Sequence, residues 1–541
     1  MIYVTALEFN ARVSLENFWL VGGVVTHGKA KSVHGGLSEV MKEVLTHWVK
    51  STHGILNRAG FSLTIDEEHL LARFSLHAFV ADESALSSVL SSKSASGMKP
   101  CAKCFNIISK YHGATWEIDD SEELRDITST NYSSFLQFTD EQVFDIQGRL
   151  KVVHDSQSAA KLATEEKLLG FNFCSTGLLA DPLMRIVLPP SKCYYDFLHC
   201  LFSNGIVGEE VSAFWSSVRE CTTLRIEDLQ MFCQQSDFKL KHSIGDYKLK
   251  HVFDPKYLEK DTYGGDAGYT VLALFLLEIF ALNVLAGLEP LQGHVLSLTY
   301  LCWICRWYFR LRAGKCKGHI SPSERMMPLI SRHLRQFILV YGRSKTKPKH
   351  HFNFHCAQSM NIQETVLDCW TMERKHRTYK NVGRHFANHE HFERSILGKL
   401  LMVQEEQLTE APGDFDFTGT TRDHALEAQL GCQQAYVSKT CFFNGQSFMA
   451  GDVCLLENDH SKAGTVLMCV AIDWSYASKK YYLLIHDMSR IDTVSSTRDP
   501  WHLSEWKING SKSLVCIATN ACKLLWPLCW WKQSERILVS C

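Results

Sequence analysis

Four short stretches of the sequence carry side chains able to hold a metal ion or steady a phosphate. The first is Phe79-Val80-Ala81-Asp82-Glu83-Ser84-Ala85-Leu86. An apolar strand ending in Asp82 can present a carboxylate to a cleft, and hard Mg²⁺ takes oxygen ligands of that kind. Asp is equally a preferred helix cap, so Asp82 also has a purely local reading. The second stretch is Pro100-Cys101-Ala102-Lys103-Cys104. A C-x₂-C pair supplies half of a tetrahedral zinc site, although no second pair follows at finger spacing. The alternative there is two partly buried free thiols. The third is Tyr194-Tyr195-Asp196-Phe197-Leu198-His199-Cys200, in which Asp196 and His199 stand about one helical turn apart. That spacing suits either a ligand pair or an ordinary hydrogen-bonded pair. The fourth runs from Lys347-Pro348-Lys349-His350-His351-Phe352-Asn353-Phe354-His355 to Trp370-Thr371-Met372-Glu373-Arg374-Lys375-His376-Arg377. On a helix, Glu373, Arg377 and Lys380 share one face. Glu373 is then either a salt-bridged surface residue or a metal ligand beside a phosphate path. Basic side chains at such a path hold the polyanion backbone and do not read its sequence.

The elements that must position these residues are legible in part. Val40, Met41, Val44, Leu45 and Trp48 recur at helical spacing, which predicts a helix over 38–49 with Ser38 as its cap, after a turn at His34-Gly35-Gly36. Phe74 to Val80 reads as a buried strand. Residues 116–190 fit neither template over any length and read as short helices and loops. From 191 to 340 the pattern is mostly helical, with two strongly apolar segments, Tyr269 to Leu288 and Val295 to Leu311. The first is nearly long enough to span a bilayer, but Glu278 at its centre is costly in lipid and favours a buried core helix. A basic linker covers Arg343 to Lys349, and 350–410 reads as helical and His-rich. Ala411-Pro412-Gly413 and Thr418-Gly419-Thr420 mark a linker. Beyond it Phe448 to Leu456, Thr465 to Ile472 and Tyr481 to Ile485 read as short strands of a small barrel or sandwich. Lys523 to Cys541 has no clear period.

Composition limits the rest. The chain has 541 residues, enough for two or three domains, and 45% apolar residues with 13 Trp, which excludes a disordered chain. A formal net charge of −1 gives no global pull toward nucleic acid, so DNA contacts must come from local basic patches. The opening MIYVTALEFN has no secretory pattern, so the 20 scattered Cys read as reduced thiols or metal ligands in a cytosolic or nuclear protein.

Taken in order, the four stretches resemble the CACTA-like cut-and-paste DNA transposases, especially the transposase-like chains of dinoflagellates. The matching elements are Asp82, the run from Gly97 through Pro100-Cys101 and Cys104, the pair Asp196 and His199, and Lys349-His350 leading to Trp370-x-x-Glu373-Arg374. The likeness covers roughly residues 1–410. It implies an α/β ribonuclease-H-like core interrupted by a large helical insertion, plus a small C-terminal β-rich domain. The expected division is 1–115 and 346–410 for the core, 116–190 as a connection, 191–345 as the insertion, 430–520 as the β-rich domain and 521–541 as an irregular tail. The resemblance implies three catalytic carboxylates, with Asp82 second and Glu373 third, and a structural zinc on Cys101, Cys104, Asp196 and His199. It further implies a DNA path along Lys347, Lys349, Arg374 and Lys375, a nuclear location, and self-association as a further contact.

The resemblance places the first catalytic Asp upstream of the segment that begins here, so the chain reads as N-terminally truncated. An intact enzyme of this kind uses two Mg²⁺ ions about 4 Å apart, one activating water or a 3′-hydroxyl and the other stabilising the leaving oxygen. With one carboxylate missing, the expectation is a DNA-binding protein with little or no strand cleavage or transfer. The rivals are a non-catalytic DNA- or chromatin-binding derivative and a membrane-anchored structural protein using Tyr269 to Leu288.

Overall fold

The helical spacing around Met41 and Leu45 is realised as α1 (Gly36–Lys50), which buries both. Ser38 does not cap it. Its hydroxyl donates to the Val89 carbonyl at 2.7 Å and accepts from the Leu178 amide at 2.9 Å. A buried hydroxyl needs partners, and tertiary ones took it inside the first turn. The computed structural model describes all residues except 7–15, 53, 66, 110–123, 236, 241–248, 314–320, 364–365, 385–391, 410–414, 417–420, 431, 433, 444–445, 457–458, 474–478, 491–503, 517–528, 534–535 and 540–541. The two linker motifs at 411–413 and 418–420 thus lie outside the described residues. The chain divides into two units: Met1–Tyr3, Val21–Ile206 and His319–Leu401 form the first, and Val4–Leu20, Val207–Gly318 and Met402–Cys541 the second.

In the first unit, the strand expected over 74–80 is confined to β1 (Phe79–Ala81), and Phe74 is exposed. The chain then turns at Asp82 into α2 (Glu83–Val89). The same strand–Asp–helix unit recurs as β2 (Cys193–Tyr195), Asp196 and α3 (Phe197–Leu201). The two strands pair in parallel, with Phe79 opposite Cys193, Val80 opposite Tyr194 and Ala81 opposite Tyr195. Among the described residues this pair is not extended into a larger sheet. Between the two units of the repeat lies a 17-residue helix, Asp140–Ser156, where only short helices were expected. Its signal is a capping box: Thr139 accepts from the Gln142 amide while the Gln142 side chain accepts from the Thr139 amide.

The second unit holds both apolar helices, α4 (Ala267–Phe280) and α5 (Gln292–Ala313). Ala267–Leu285 passes the length and hydropathy test for a membrane span, yet every residue from Thr270 to Phe280 is buried within protein. Glu278 on α4 pairs with Arg306 on α5 through both guanidinium nitrogens, one at 3.1 Å, and both residues are buried. That pairing satisfies the charge that would be so costly in lipid.

The first unit continues with α6 (Pro322–Tyr341), α7 (Pro348–Gln363) and α8 (Trp370–Gly383). The helix α7 takes in Pro348 and Lys349, the end of the expected basic linker. Its segment from His350 to Ala357 is buried without interruption, although it carries three histidines and an asparagine. A helix buried all round is normally apolar all round, so this polar content requires internal partners.

Residues 207–318 fall in one unit with 402–541. In the second unit β3 (Asp237–Leu240) joins β4 (Thr421–Arg422), β5 (Gln434–Ser438), β6 (Val453–Leu456), β7 (Asp459–Asp473), β8 (Lys479–Arg490), β9 (Ser504–Cys516), β10 (Cys529–Gln533) and β11 (Arg536–Val539). They form a nine-stranded antiparallel sheet in the order β4-β5-β7-β8-β9-β11-β10-β3, with β6 also on β7. The stretch after Lys523, read as irregular, thus supplies two of its strands.

Candidate metal centres

Two clusters of potential ligands form in the first unit, and they regroup the residues singled out in the sequence. In the first, Cys101, Cys104, His351 and His355 place one ligand atom each within 4.8 Å of one another, and all four are buried. The Nε2 of His355 lies 3.3 Å from Cys101 Sγ, 3.2 Å from Cys104 Sγ and 3.1 Å from His351 Nε2. His351 and His355 stand four apart on α7, which turns both rings to one side. The Nδ1 of His355 lies 3.0 Å from Gln358 Oε1, which also accepts from Gln137 Nε2 at 2.8 Å. That contact assigns the proton to Nδ1 and leaves the Nε2 lone pair facing the sulfurs.

The sulfur side is equally supported. Cys101 Sγ accepts from the Lys103 amide at 3.3 Å and faces the Tyr195 hydroxyl at 3.9 Å. Burial alone would push the Cys101 thiol up. The Cys104 S–H and the rings of His355 and His351 override it and hold Cys101 well below its usual range. Burial, with the hydrogen bond to Cys101, pushes Cys104 up, so the pair shares one negative charge. Burial also lowers His351, which keeps its ring neutral. Two thiol sulfurs facing two imidazole nitrogens are the N and S donors that a zinc-like ion takes up. These residues could hold a metal such as zinc.

The second cluster is built on the two strand–Asp–helix turns. Because Ala81 lies opposite Tyr195, the next residues, Asp82 and Asp196, leave neighbouring parallel strands at the same level. Each caps the helix that follows. Asp82 Oδ1 accepts from the Ala85 amide at 2.7 Å. Asp196 Oδ1 accepts from the amides of Leu198 and Cys369, both at 2.9 Å, and Oδ2 from the His199 amide at 3.2 Å and from the His199 ring. The opposite ring nitrogen of His199 lies 3.8 Å from Glu373 Oε1, in the first turn of α8. Burial opposes the charge on His199, but the Asp196 hydrogen bond and the carboxylates of Asp196, Asp82 and Glu373 outweigh it and raise its pKa. One imidazole thus senses three carboxylates. Cys369 has its sulfur within ligand reach of Asp196 and His199, but burial, with the Asp196 charge beside it, pushes that thiol well up.

The expected zinc set is therefore divided. Cys101 and Cys104 meet His351 and His355, while Asp196 and His199 group with Cys369, with Glu373 3.8 Å from the His199 ring. The reason is directional: successive side chains of a strand point to opposite faces, so Tyr195 reaches the Cys101 loop and Asp196 faces away from it. The expected DNA path is divided too. Lys347 and Arg374 are exposed. Lys375 is buried at 1% exposure, beyond the reach of a nucleic-acid backbone. The Lys349 ammonium donates to the carbonyls of His199 at 2.8 Å, Asn204 at 2.9 Å and Ser203 at 3.2 Å. All three of its protons are thereby used on the chain that leaves α3. No protein-family model, curated protein or solved structure matches this chain.

Proposed function

We propose that this protein is a transposase-like DNA strand-processing protein with a ribonuclease-H-like site at Asp82, Asp196 and Glu373. The observation that carries the reading is the parallel register of Ala81 and Tyr195, which sets Asp82 beside Asp196. The sequence resemblance made Asp82 the second carboxylate and left the first outside the chain. In the reading proposed here Asp82 and Asp196 are the strand-end pair, and Glu373 is the helical third. These carboxylates would hold Mg²⁺, which supplies activation of water or a 3′-hydroxyl and neutralises charge on the leaving oxygen. His199 fixes the Asp196 carboxylate and spans toward Glu373. Arg374 and Lys347, both exposed, would contact the phosphate backbone. Cys101 and Cys104 belong, in this reading, to a zinc site apart from the carboxylates.

The test is strand cleavage and strand transfer by the full chain on terminal-repeat DNA with Mg²⁺ or Mn²⁺. Activity lost in Asp82→Asn, Asp196→Asn and Glu373→Gln alike supports the reading. Activity indifferent to any one of the three removes that residue from the site. A second reading, a non-catalytic DNA-binding derivative, is favoured by the fact that the Asp82 bond and the Leu198 and His199 amide bonds of Asp196 cap helices. It predicts no cleavage, with DNA retention that survives Asp82→Ala and Glu373→Ala and weakens steeply with salt.

A further inference from the structure

We propose that Cys101, Cys104, His351 and His355 bind one tetrahedral Zn²⁺ that fixes α7 and, through it, the edge of β2 and α3 that carries Asp196. The inference rests on the preceding reading only in naming what that edge does; the zinc centre stands on its own geometry. Zn–S bonds of about 2.3 Å and Zn–N bonds of about 2.0–2.1 Å define tetrahedral edges of about 3.3 Å between two nitrogens and about 3.6 Å between nitrogen and sulfur. The observed separations are 3.1 Å between the two Nε2 atoms and 3.2 and 3.3 Å from His355 Nε2 to the sulfurs. Each is within a few tenths of an ångström of its edge.

Hydrogen bonding alone does not account for this arrangement. Two ring nitrogens that face each other at 3.1 Å have room for one proton at most between them, and the Gln358 contact on His355 Nδ1 leaves its Nε2 as the lone-pair side. Four buried donor atoms converge on one point, where His355 Nε2 meets only the two sulfurs and a second ring nitrogen. A metal ion supplies the missing partner for all four at once. The donor set, two thiolates and two imidazoles from C-x₂-C and H-x₃-H segments, is the one that closes a structural zinc site and leaves no open position.

The link to the carboxylates runs through α7 and through one residue of β2. The Tyr195 ring stacks on Phe352 of α7, with centroids 4.2 Å apart and planes 8° from parallel. Its hydroxyl accepts from the Ala102 amide at 3.1 Å, inside the C-x₂-C loop. Cys356 Sγ on α7 reaches the Tyr195 carbonyl at 3.6 Å, and Cys200 Sγ on α3 reaches the Lys349 carbonyl at 3.2 Å. The Lys349 ammonium, on the first turn of α7, clasps the carbonyls that follow α3. Asp196 sits between these anchors. A metal ion that holds α7 against the Cys101 loop therefore holds Asp196 in place.

The experiment uses the full chain and reads zinc directly. Atomic emission should find one zinc per chain, retained by Asp196→Asn and His199→Gln and lost in Cys104→Ser and His355→Ala. Cobalt exchanged into the wild-type chain should give a thiolate-to-metal charge-transfer band and the intense ligand-field bands of a tetrahedral site. That measurement stands even where a ligand variant fails to fold. Zinc lost with Asp196 or His199 but kept without His355 would restore the ligand set expected from sequence and overturn this one. A wild-type chain free of zinc, with no tetrahedral cobalt spectrum, would also overturn it. For the link, Mn²⁺ binding followed by electron paramagnetic resonance should weaken roughly tenfold in zinc-depleted chain that keeps its circular dichroism, the scale of a lost supporting shell. Unchanged Mn²⁺ affinity there would refute the link while leaving the zinc centre. Absence of Mn²⁺ binding in zinc-loaded chain would instead refute the carboxylate reading of the previous section.

Discussion

The sulfur–imidazole cluster and the carboxylate cluster solve opposite problems with the same material. In the first, Cys101, Cys104, His351 and His355 turn their donor atoms toward one another and find few partners elsewhere. In the second, Asp196 turns its oxygens toward three backbone amides and one ring, and is fully satisfied by its own surroundings. The first cluster is completed by adding an ion. The second can accept an ion only by giving up a bond, the His199 ring on Asp196 Oδ2 being a side-chain bond that does not cap a helix. The difference teaches that proximity of ligand atoms is not by itself a metal site. What matters is whether those atoms already have partners.

Zinc withdrawal should break the comparison most visibly. A zinc ion held at a thousandfold over its Kd stabilises the folded chain by about 4 kcal/mol. Chelation should therefore lower the midpoint of thermal unfolding of the wild-type chain, and should leave that of His355→Ala unmoved. Equal chelator sensitivity in both would place the metal elsewhere. Next in size are the two strand-end carboxylates. Asp196→Ala leaves three amides without their acceptor in a buried setting and should cost about 2–4 kcal/mol. Asp82→Ala removes one cap bond at a half-buried position and should cost about 1 kcal/mol. Urea denaturation of the two variants would measure the difference, and equal losses would contradict the contrast drawn between them.

The sequence exposed the parts of these clusters that are local. C-x₂-C announces two ligands by spacing alone, and the apolar run before Asp82 announces a strand end. His351 and His355 were equally legible, as an H-x₃-H pair at the spacing zinc sites use. They were absorbed into a basic run because their partners lie some 250 positions away (254 and 251 for His355). Asp196 was grouped with Cys101 only because the family resemblance implied one zinc site for the paired Cys and Asp-x-x-His elements. The parallel pairing with β1 that reassigns it is non-local and leaves no mark on the sequence. The same holds for Glu278. Its cost in lipid was readable, but its partner Arg306 on the next helix was not. Lys349 is the plainest case. A lysine in a run of Lys and His reads as a phosphate contact, and only the position of α3 shows its ammonium engaged by carbonyls.

That lysine provides the next sharpening of the comparison. Lys349→Met keeps the aliphatic stem and removes three charge-assisted bonds to the end of α3. It should cost about 1–2 kcal/mol by denaturant titration and should leave zinc content at one per chain. A Lys349 that served DNA instead would show unaltered stability and a reduced salt slope of DNA binding.

The smallest effect comes from a carboxylate with an ordinary partner, which calibrates the others. Glu393 Oε2 lies 2.5 Å from the Lys29 ammonium, and its Oε1 accepts from the Thr26 hydroxyl at 2.8 Å. The Lys29 bond, first, and the Thr26 bonds hold the Glu393 pKa down at about 2, against an ordinary 4.5. A depressed acid is bound more tightly in its charged form by the folded chain. Its contribution is therefore complete above about pH 4.5 and is lost as the pH falls toward 2. Lys29 is 57% exposed, so solvent screening keeps the pair below about 1 kcal/mol. Glu393→Gln should flatten the acid limb of the stability profile between pH 4.5 and 2 by that small amount. It should change nothing at pH 7 beyond the same amount, and leave zinc and Mn²⁺ binding as they were. A Glu393→Gln chain that loses either metal would show that the carboxylate cluster extends to a residue whose bonds, like those of Asp196, look complete.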